Sequence, residues 1–96
     1  MTSKPVKNLK KAVKTFEDRN KVYGDNYITH GEVMKALFRE PVNLATLKEY
    51  NRFGIVNMMV AKLTRYCNNW PNSHQDSIHD LGVYAFMLEA LDDDSV

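Results

Sequence analysis

Cysteines and long apolar runs are nearly absent from this chain. Cys67 is the single cysteine among 96 residues, so no disulfide can form within the chain and a reducing compartment is expected. No segment reaches the roughly 18 consecutive apolar residues of a membrane helix. The first residues also lack the apolar run of a signal peptide. We therefore expect a cytoplasmic protein without membrane contact.

Recognisable catalytic motifs are missing as well. The sequence contains no phosphate-binding glycine loop, no dinucleotide fingerprint and no nucleophilic-serine elbow. No histidine pair has zinc-site spacing with Cys67, and no base lies at a readable spacing from its thiol. These absences argue against a structural zinc site and against thiol catalysis.

Net charge is low, but the charges are unevenly distributed. Residues 1–21 hold seven Lys and Arg against two acidic residues, whereas residues 89–94 hold four acidic residues and no base. A basic first helix either contacts a polyanion or is a solvated face, and an acidic tail either frays or folds back onto that helix. The net charge of +1 and the acidic tail argue against nucleic-acid binding.

Capping residues mark the first two helices. Ser3, which precedes a Lys-Pro pair, predicts the start of the first helix, and Gly24 predicts its end. Thr29 and Glu32 have capping-box spacing and predict the start of the second helix. Pro41 predicts the end of the second helix, because proline disfavours helical geometry in the residue before it.

The second half of the chain shows the same kind of signals. Thr46 opens another capping-box pattern, and the third helix is expected to run to about Cys67. Gly54 lies inside it and predicts either a bend or a junction of two helices. Ser73 is expected to cap the last helix, with Asp76 at its third position.

No segment of any length alternates with the period of a strand, and no repeat or linker divides the chain. We therefore predict an all-α, four-helix bundle-like single domain over residues 1–96, with a core at about 4–91 and an acidic tail at 92–96. The expected core faces of the first and last helices are formed by Val6, Leu9, Ala12, Val13, Phe16, Ile78, Leu81, Ala85 and Leu88.

Two carboxylates on the last helix are candidate metal ligands. Asp76, Asp80 and Tyr84 are spaced by four residues and therefore share one line of the helix. Two carboxylates at this spacing can hold Mg²⁺, which keeps waters for substrate phosphates to replace. The alternative is structural, because a carboxylate in the first turn is favoured by the free N–H groups and the helix dipole.

Two cations precede that helix. Lys62 and Arg65 lie three apart among apolar residues, and such cations are costly to bury without partners. An antiparallel pairing of the last two helices would bring Arg65 near Asp76 and Lys62 near Asp80. The cations are then either ion-pair partners of the carboxylates or ligands for phosphate oxygens.

A third cluster surrounds the end of the first helix. The segment EDRNKVYGDNY places Arg19 and Tyr23 beside Gly24. A tyrosine ring and a guanidinium suit stacking on a base and binding of a phosphate. The alternative is a polar turn with Tyr23 packed against the core.

Three short motifs together resemble a known family. RNKVYGDN, MVAKLTRY and DSIHDLGVYAFML, in that order, resemble a phage-encoded helical family related to the MazG-like all-α NTP pyrophosphatases and to helical domains associated with nucleotide modification. The resemblance covers roughly residues 16–91. It implies a four-helix core, assembly as dimers or tetramers, and Mg²⁺-dependent action on nucleotides in the cytoplasm of a host cell.

The resemblance also implies roles for individual residues. Asp76 and Asp80 fall where MazG-like enzymes carry their second acidic pair, although the spacing is four rather than three. The first acidic pair is absent, and Lys62 and Arg65 occupy the corresponding helix. This pattern suits a pyrophosphohydrolase of NTP or dNTP, or a relative that has altered or lost that chemistry.

Two hypotheses follow. In the first, Asp76 and Asp80 bind Mg²⁺ and are catalytic, and the substrate is held by Lys62, Arg65, Arg19, Tyr23 and Tyr84. In the second, a non-catalytic small phage protein binds a host protein or a nucleotide, and its Lys/Arg–Asp cluster is a structural ion-pair network.

Overall fold

The computed structural model describes residues 3–93, apart from the side chains of residues 22 and 23. Four helices follow one another: α1 (Lys4–Tyr23), α2 (Asn26–Leu37), α3 (Leu47–Asn68) and α4 (Gln75–Asp92). No strand occurs among these residues, so the predicted all-α class is confirmed. No helix in this part of the chain combines the length and apolar character needed to cross a membrane.

The ends of α1 agree with the sequence prediction. Ser3 is the N-cap residue with extended backbone, and proline follows in the first turn. Gly24 ends the helix at φ 62° and ψ −156°, and its N–H donates to the carbonyl oxygen of Asn20 at 2.9 Å. Glycine is required there because residues with a Cβ avoid this conformation.

The predicted start of α2 at Thr29 is wrong. The N-cap residue is Asp25, and the backbone N–H groups of Ile28 and Thr29 donate to its carbonyl oxygen at 2.9 and 3.1 Å. Thr29 lies inside the helix, where its hydroxyl donates to the same carbonyl at 3.4 Å. The helix therefore resumes almost directly after Gly24, and it ends at Leu37.

The capping box at the start of α3 is present. The Oγ1 atom of Thr46 accepts the backbone N–H of Glu49 at 3.1 Å and donates to Glu49 Oε1 at 3.0 Å. The helix then continues to Asn68 without interruption. A junction of two helices at Gly54 is therefore wrong, because α3 provides the hydrogen bonds of a single helix through that position.

The start of α4 differs from the prediction by one residue. His74, not Ser73, is the N-cap residue, and its Nδ1 lies 2.6 Å from the hydroxyl oxygen of Ser77. Asp76 lies in the first turn, where its charge suits the helix dipole. Ser77 is one of two buried residues in the described part of the chain; the other is Val60 on α3.

The best-packed unit is the antiparallel pair of α3 and α4, which are joined by a turn with a cis Trp70–Pro71 bond. Ion pairs between Lys62 and Asp80 and between Arg52 and Asp92 connect the two helices. α2 packs against α3, whereas α1 contacts α3 sparsely. The result is a bundle-like arrangement in which α1 is the least covered helix.

Much of the apolar surface faces outward. The radius of gyration is 17.1 Å, whereas a compact domain of this length has about 12.5 Å. Leu9 and Val13, expected in the core, are 66% and 58% exposed. The helical periodicity correctly identifies an apolar face on α1, but this single chain does not bury that face.

Candidate functional site

The largest described cleft lies between α1 and the start of α2, with one wall from α3, and we refer to it as the α1–α2 cleft. Its volume is about 540 Å³, within the range of small-molecule sites. It is lined by Asn8, Lys11, Ala12, Thr15, Phe16, Arg19, Asn20, Gly24, Asn26, Tyr27 and Arg65. The lining thus combines three cations, two aromatic rings and three amides.

The cations come from two helices. Lys11, Thr15 and Arg19 are spaced by four residues and share one side of α1. The Thr15 hydroxyl is bonded to the Lys11 carbonyl at 3.0 Å, so it stays close to the helix backbone. Arg65 reaches the same cleft from α3 and is half-buried. Three positive groups near one cleft favour an anionic ligand.

Two aromatic rings form part of the same wall. The rings of Phe16 and Tyr27 meet edge to face, with centroids 5.9 Å apart and planes at 64°. This contact joins α1 to α2. Both side chains remain exposed, so their outer faces are accessible to a planar ligand.

Polar contacts hold the turn between α1 and α2, which borders the cleft. In the orientation that satisfies its hydrogen bonds, the Asn20 amide nitrogen donates to the Gly24 carbonyl at 2.6 Å and to Asp25 Oδ1 at 3.1 Å. The Asn68 amide of α3 donates to Asn26 Oδ1 of α2. These bonds fix the entry of α2 relative to α1 and α3, and therefore the shape of the cleft.

The predicted site residues divide between two places. Arg19 and Arg65 both line the α1–α2 cleft. Lys62 instead contacts α4, where its Nζ lies 3.3 Å from Asp80 Oδ2, so this predicted contact is present. Tyr84 is half-buried on α4 and is not among the cleft residues. The side chain predicted to stack, that of Tyr23, lies outside the described residues.

The two carboxylates of α4 also lie apart from the cleft lining. Asp76 is exposed in the first turn, and the Asp80 carboxylate is engaged by Lys62. Across residues 3–93, no group of three or more His, Cys, Asp or Glu gathers as a metal site would. Two carboxylates can still bind Mg²⁺ when water molecules and the phosphate groups of a substrate provide the remaining ligands. Such binding would compete with the Lys62–Asp80 ion pair.

Lys11 and Phe16 are among the cleft residues that sequence reasoning missed. The first was treated as part of a general basic face, and the second was assigned to the core. The four-residue spacing of Lys11, Thr15 and Arg19 was the available signal, because it places a cation one turn on either side of a hydroxyl.

Comparisons with protein families, with curated proteins and with solved structures found no match for this chain. The resemblance to MazG-like pyrophosphatases therefore stays a prediction. Any functional argument rests on the geometry of the helices and the cleft.

Proposed function

We propose that this protein binds a nucleotide in the α1–α2 cleft. One observation supports the proposal: Lys11, Arg19 and Arg65 border the same cleft as the Phe16–Tyr27 ring pair. A nucleotide has a polyanionic end and a planar aromatic end, and the cleft offers groups that suit both. A guanidinium group can donate two parallel hydrogen bonds to the oxygens of a phosphate, and aromatic faces stack on bases.

The test is calorimetric titration of the protein with three probes: ATP, inorganic triphosphate and adenosine. We expect ATP to bind most tightly, inorganic triphosphate more weakly and adenosine most weakly, because ATP engages both the cations and the rings. Absence of heat with all three probes at millimolar concentration would overturn the proposal. Equal binding of ATP and inorganic triphosphate would reduce it to a phosphate site.

Arg19→Gln should weaken ATP binding roughly tenfold or more, because a hydrogen bond to a charged group contributes about 1.5–3 kcal/mol. Lys14→Gln is the matched control, since Lys14 lies on the same helix and outside the cleft lining. It removes the same charge, and we expect its dissociation constant to stay within about twofold of the unsubstituted protein at equal ionic strength. Equal losses in both variants would indicate a diffuse attraction rather than a site.

Mg²⁺-dependent hydrolysis is the alternative to binding alone. It would require Asp76 and Asp80, which lie outside the lining of the α1–α2 cleft, to hold an ion that supplies charge stabilisation at a phosphoryl group. Pyrophosphate release from ATP and dATP, measured with and without Mg²⁺ on the titrated samples, separates an enzyme from a binding protein. Binding without release assigns the non-catalytic function.

A further inference from the structure

The described chain exposes more surface than a folded monomer of its size. Its accessible surface is 7860 Å², whereas a compact monomer of this mass exposes about 5,700 Å². The difference of roughly 2,000 Å² per chain falls in the range that each subunit buries in an obligate dimer. The excess exposed area is therefore comparable to the area that one subunit buries in a dimer interface.

Part of that surface is a stripe on α1. Val6, Leu9, Val13 and Phe16 are spaced by three, four and three residues, and all four are exposed. This spacing is that of a coiled-coil seam, which packs against another helix. Within its own chain α1 makes its main helix contacts with α3, and they are few. The stripe consequently lacks a helix of its own chain along most of its length.

A second exposed apolar surface lies on α4. Val83, Phe86 and Met87 are exposed, and Phe86 reaches 72%. Beside them, a groove of about 440 Å³ runs between α3 and α4 and is lined mainly by Ile55, Met87 and Leu91. A Cβ built on Gly82 would meet no neighbouring atom within 4 Å, so this position of α4 is open among the described residues.

The two helices carry opposite charge. α1 has seven Lys and Arg against two acidic residues, whereas α4 has no Lys or Arg and four acidic residues, of which Asp80 and Asp92 pair with Lys62 and Arg52 of α3. A basic helix repels another copy of itself but attracts the acidic one. Charge therefore favours pairing of α1 with α4 over pairing of like helices.

We propose that a second copy of this chain covers both surfaces, with the stripe of α1 in each copy packed on the exposed face of α4 in the other. A two-fold axis makes the contact twice and closes the assembly, so no third copy is required. This inference shares Phe16 with the nucleotide proposal, but the ligand titrations and the measurements of mass below have separate readouts, so the failure of one is distinguishable from the failure of the other.

The first test is the mass of the unsubstituted protein in solution, measured by light scattering after size exclusion over a dilution series. We expect twice the chain mass at micromolar concentration and dissociation on dilution. A monomer at all concentrations would overturn the proposal. A mass of three or more chains would contradict the closed pair.

Leu9→Glu and Phe86→Glu should each convert the protein to a monomer with unchanged helical circular dichroism, because both side chains are exposed within their own chain. The control is Leu47→Glu, since Leu47 is 78% exposed in the first turn of α3, where a carboxylate is tolerated. That variant should remain a dimer. If Leu9→Glu or Phe86→Glu loses helicity, the corresponding alanine variant, Leu9→Ala or Phe86→Ala, is measured instead. We then expect a higher dissociation constant of the dimer than for the unsubstituted protein.

Mixing the two monomeric variants distinguishes the pairing. In an α1-on-α4 dimer, the α1 of the Phe86→Glu chain meets an intact α4 on the Leu9→Glu chain, so one of the two contacts is restored. We expect dimers to reappear in the equimolar mixture. If both variants are monomeric and the mixture is too, the proposed arrangement is wrong. Dimers unaffected by either substitution would place the interface elsewhere.

Discussion

The Thr46 hydroxyl satisfies one of the free backbone N–H groups at the start of α3, the helix on which the others pack. It accepts the Glu49 N–H at 3.1 Å. The Glu49 carboxylate in turn accepts the backbone N–H of Ala45, which precedes the helix, at 3.4 Å. We expect Thr46→Ala to lower the free energy of unfolding by about 1 kcal/mol. Urea unfolding at fixed protein concentration measures this loss.

Thr29 supplies the matched control for that measurement, because it has the same capping-box spacing in the sequence but lies inside α2. Its hydroxyl makes a single long contact of 3.4 Å to Asp25 O and is exposed. Thr29→Ala should change the free energy of unfolding by less than about 0.5 kcal/mol. Equal losses at the two threonines would show that α2 begins at Thr29 in solution.

The Lys62–Asp80 ion pair is the second residue-scale feature with a measurable consequence. Lys62 is 16% exposed and Asp80 44% exposed, so removing the carboxylate leaves a mostly buried ammonium without this partner. We expect Asp80→Asn to cost about 1 kcal/mol of stability, equally with and without millimolar Mg²⁺. Chemical unfolding in both conditions measures it.

Asp92→Asn provides the comparison, because it breaks an ion pair of shorter distance but greater exposure. The Arg52–Asp92 pair measures 2.8 Å, and both side chains are about half exposed. Its loss should stay below about 0.5 kcal/mol. A destabilisation by Asp80→Asn that appears only when Mg²⁺ is present would instead identify Asp80 as a metal ligand.

At the scale of the helices, two glycines have opposite roles. Gly24 has φ 62° in the turn between α1 and α2. Gly54 instead lies in the middle of α3 at an exposed position, and a Cβ built on it would have no neighbouring atom within 4 Å. Gly24→Ala should destabilise by about 1–3 kcal/mol because of backbone strain. Gly54→Ala should stabilise by about 0.5–1 kcal/mol because alanine is the better helix former. Thermal and urea unfolding of the two variants check the signs.

Helix boundaries could be predicted where the local signal was unique. Ser3, Gly24 and Thr46 each stand alone as caps, and all three mark real ends. The capping-box spacing of Thr29 misplaces the start of α2, whose N-cap residue is Asp25, four residues earlier. The carbonyl oxygen of Asp25 accepts the first hydrogen bonds of α2. The position of this helix start depends on the backbone direction that follows Gly24.

At the scale of the whole molecule, the sequence predicts which faces are apolar but not what covers them. The stripe on α1 and the stripe on α4 were both assigned to a core within one chain. The described chain buries only Val60 and Ser77. It leaves the predicted stripe of α1 exposed, whereas on α4 Leu81 and Leu88 are half-buried and Ile78 and Ala85 are exposed. Hydrophobic periodicity predicts that a helix face is buried, but it does not tell whether the same chain or another molecule packs against that face.

The candidate site shows the same limit. Arg19 and Arg65 are candidate phosphate ligands by residue type, and they do border one cleft. Their placement together with Phe16 and Tyr27 depends on the angle at which α2 leaves Gly24, which no short motif specifies. Lys62 and Arg65 are grouped by spacing in the sequence, yet Lys62 pairs with Asp80 of α4 and is not among the residues that line the cleft, whereas Arg65 is.

The sparse contacts of α1 have a consequence for how the protein is made. α1 precedes α4, its proposed partner surface, in the chain and therefore leaves the ribosome before it. Domains begin to fold during synthesis as their parts become available. Under the proposed pairing, a finished chain offers its α4 before the growing chain has made its own. Neighbouring ribosomes on one message would therefore favour assembly of two chains during translation.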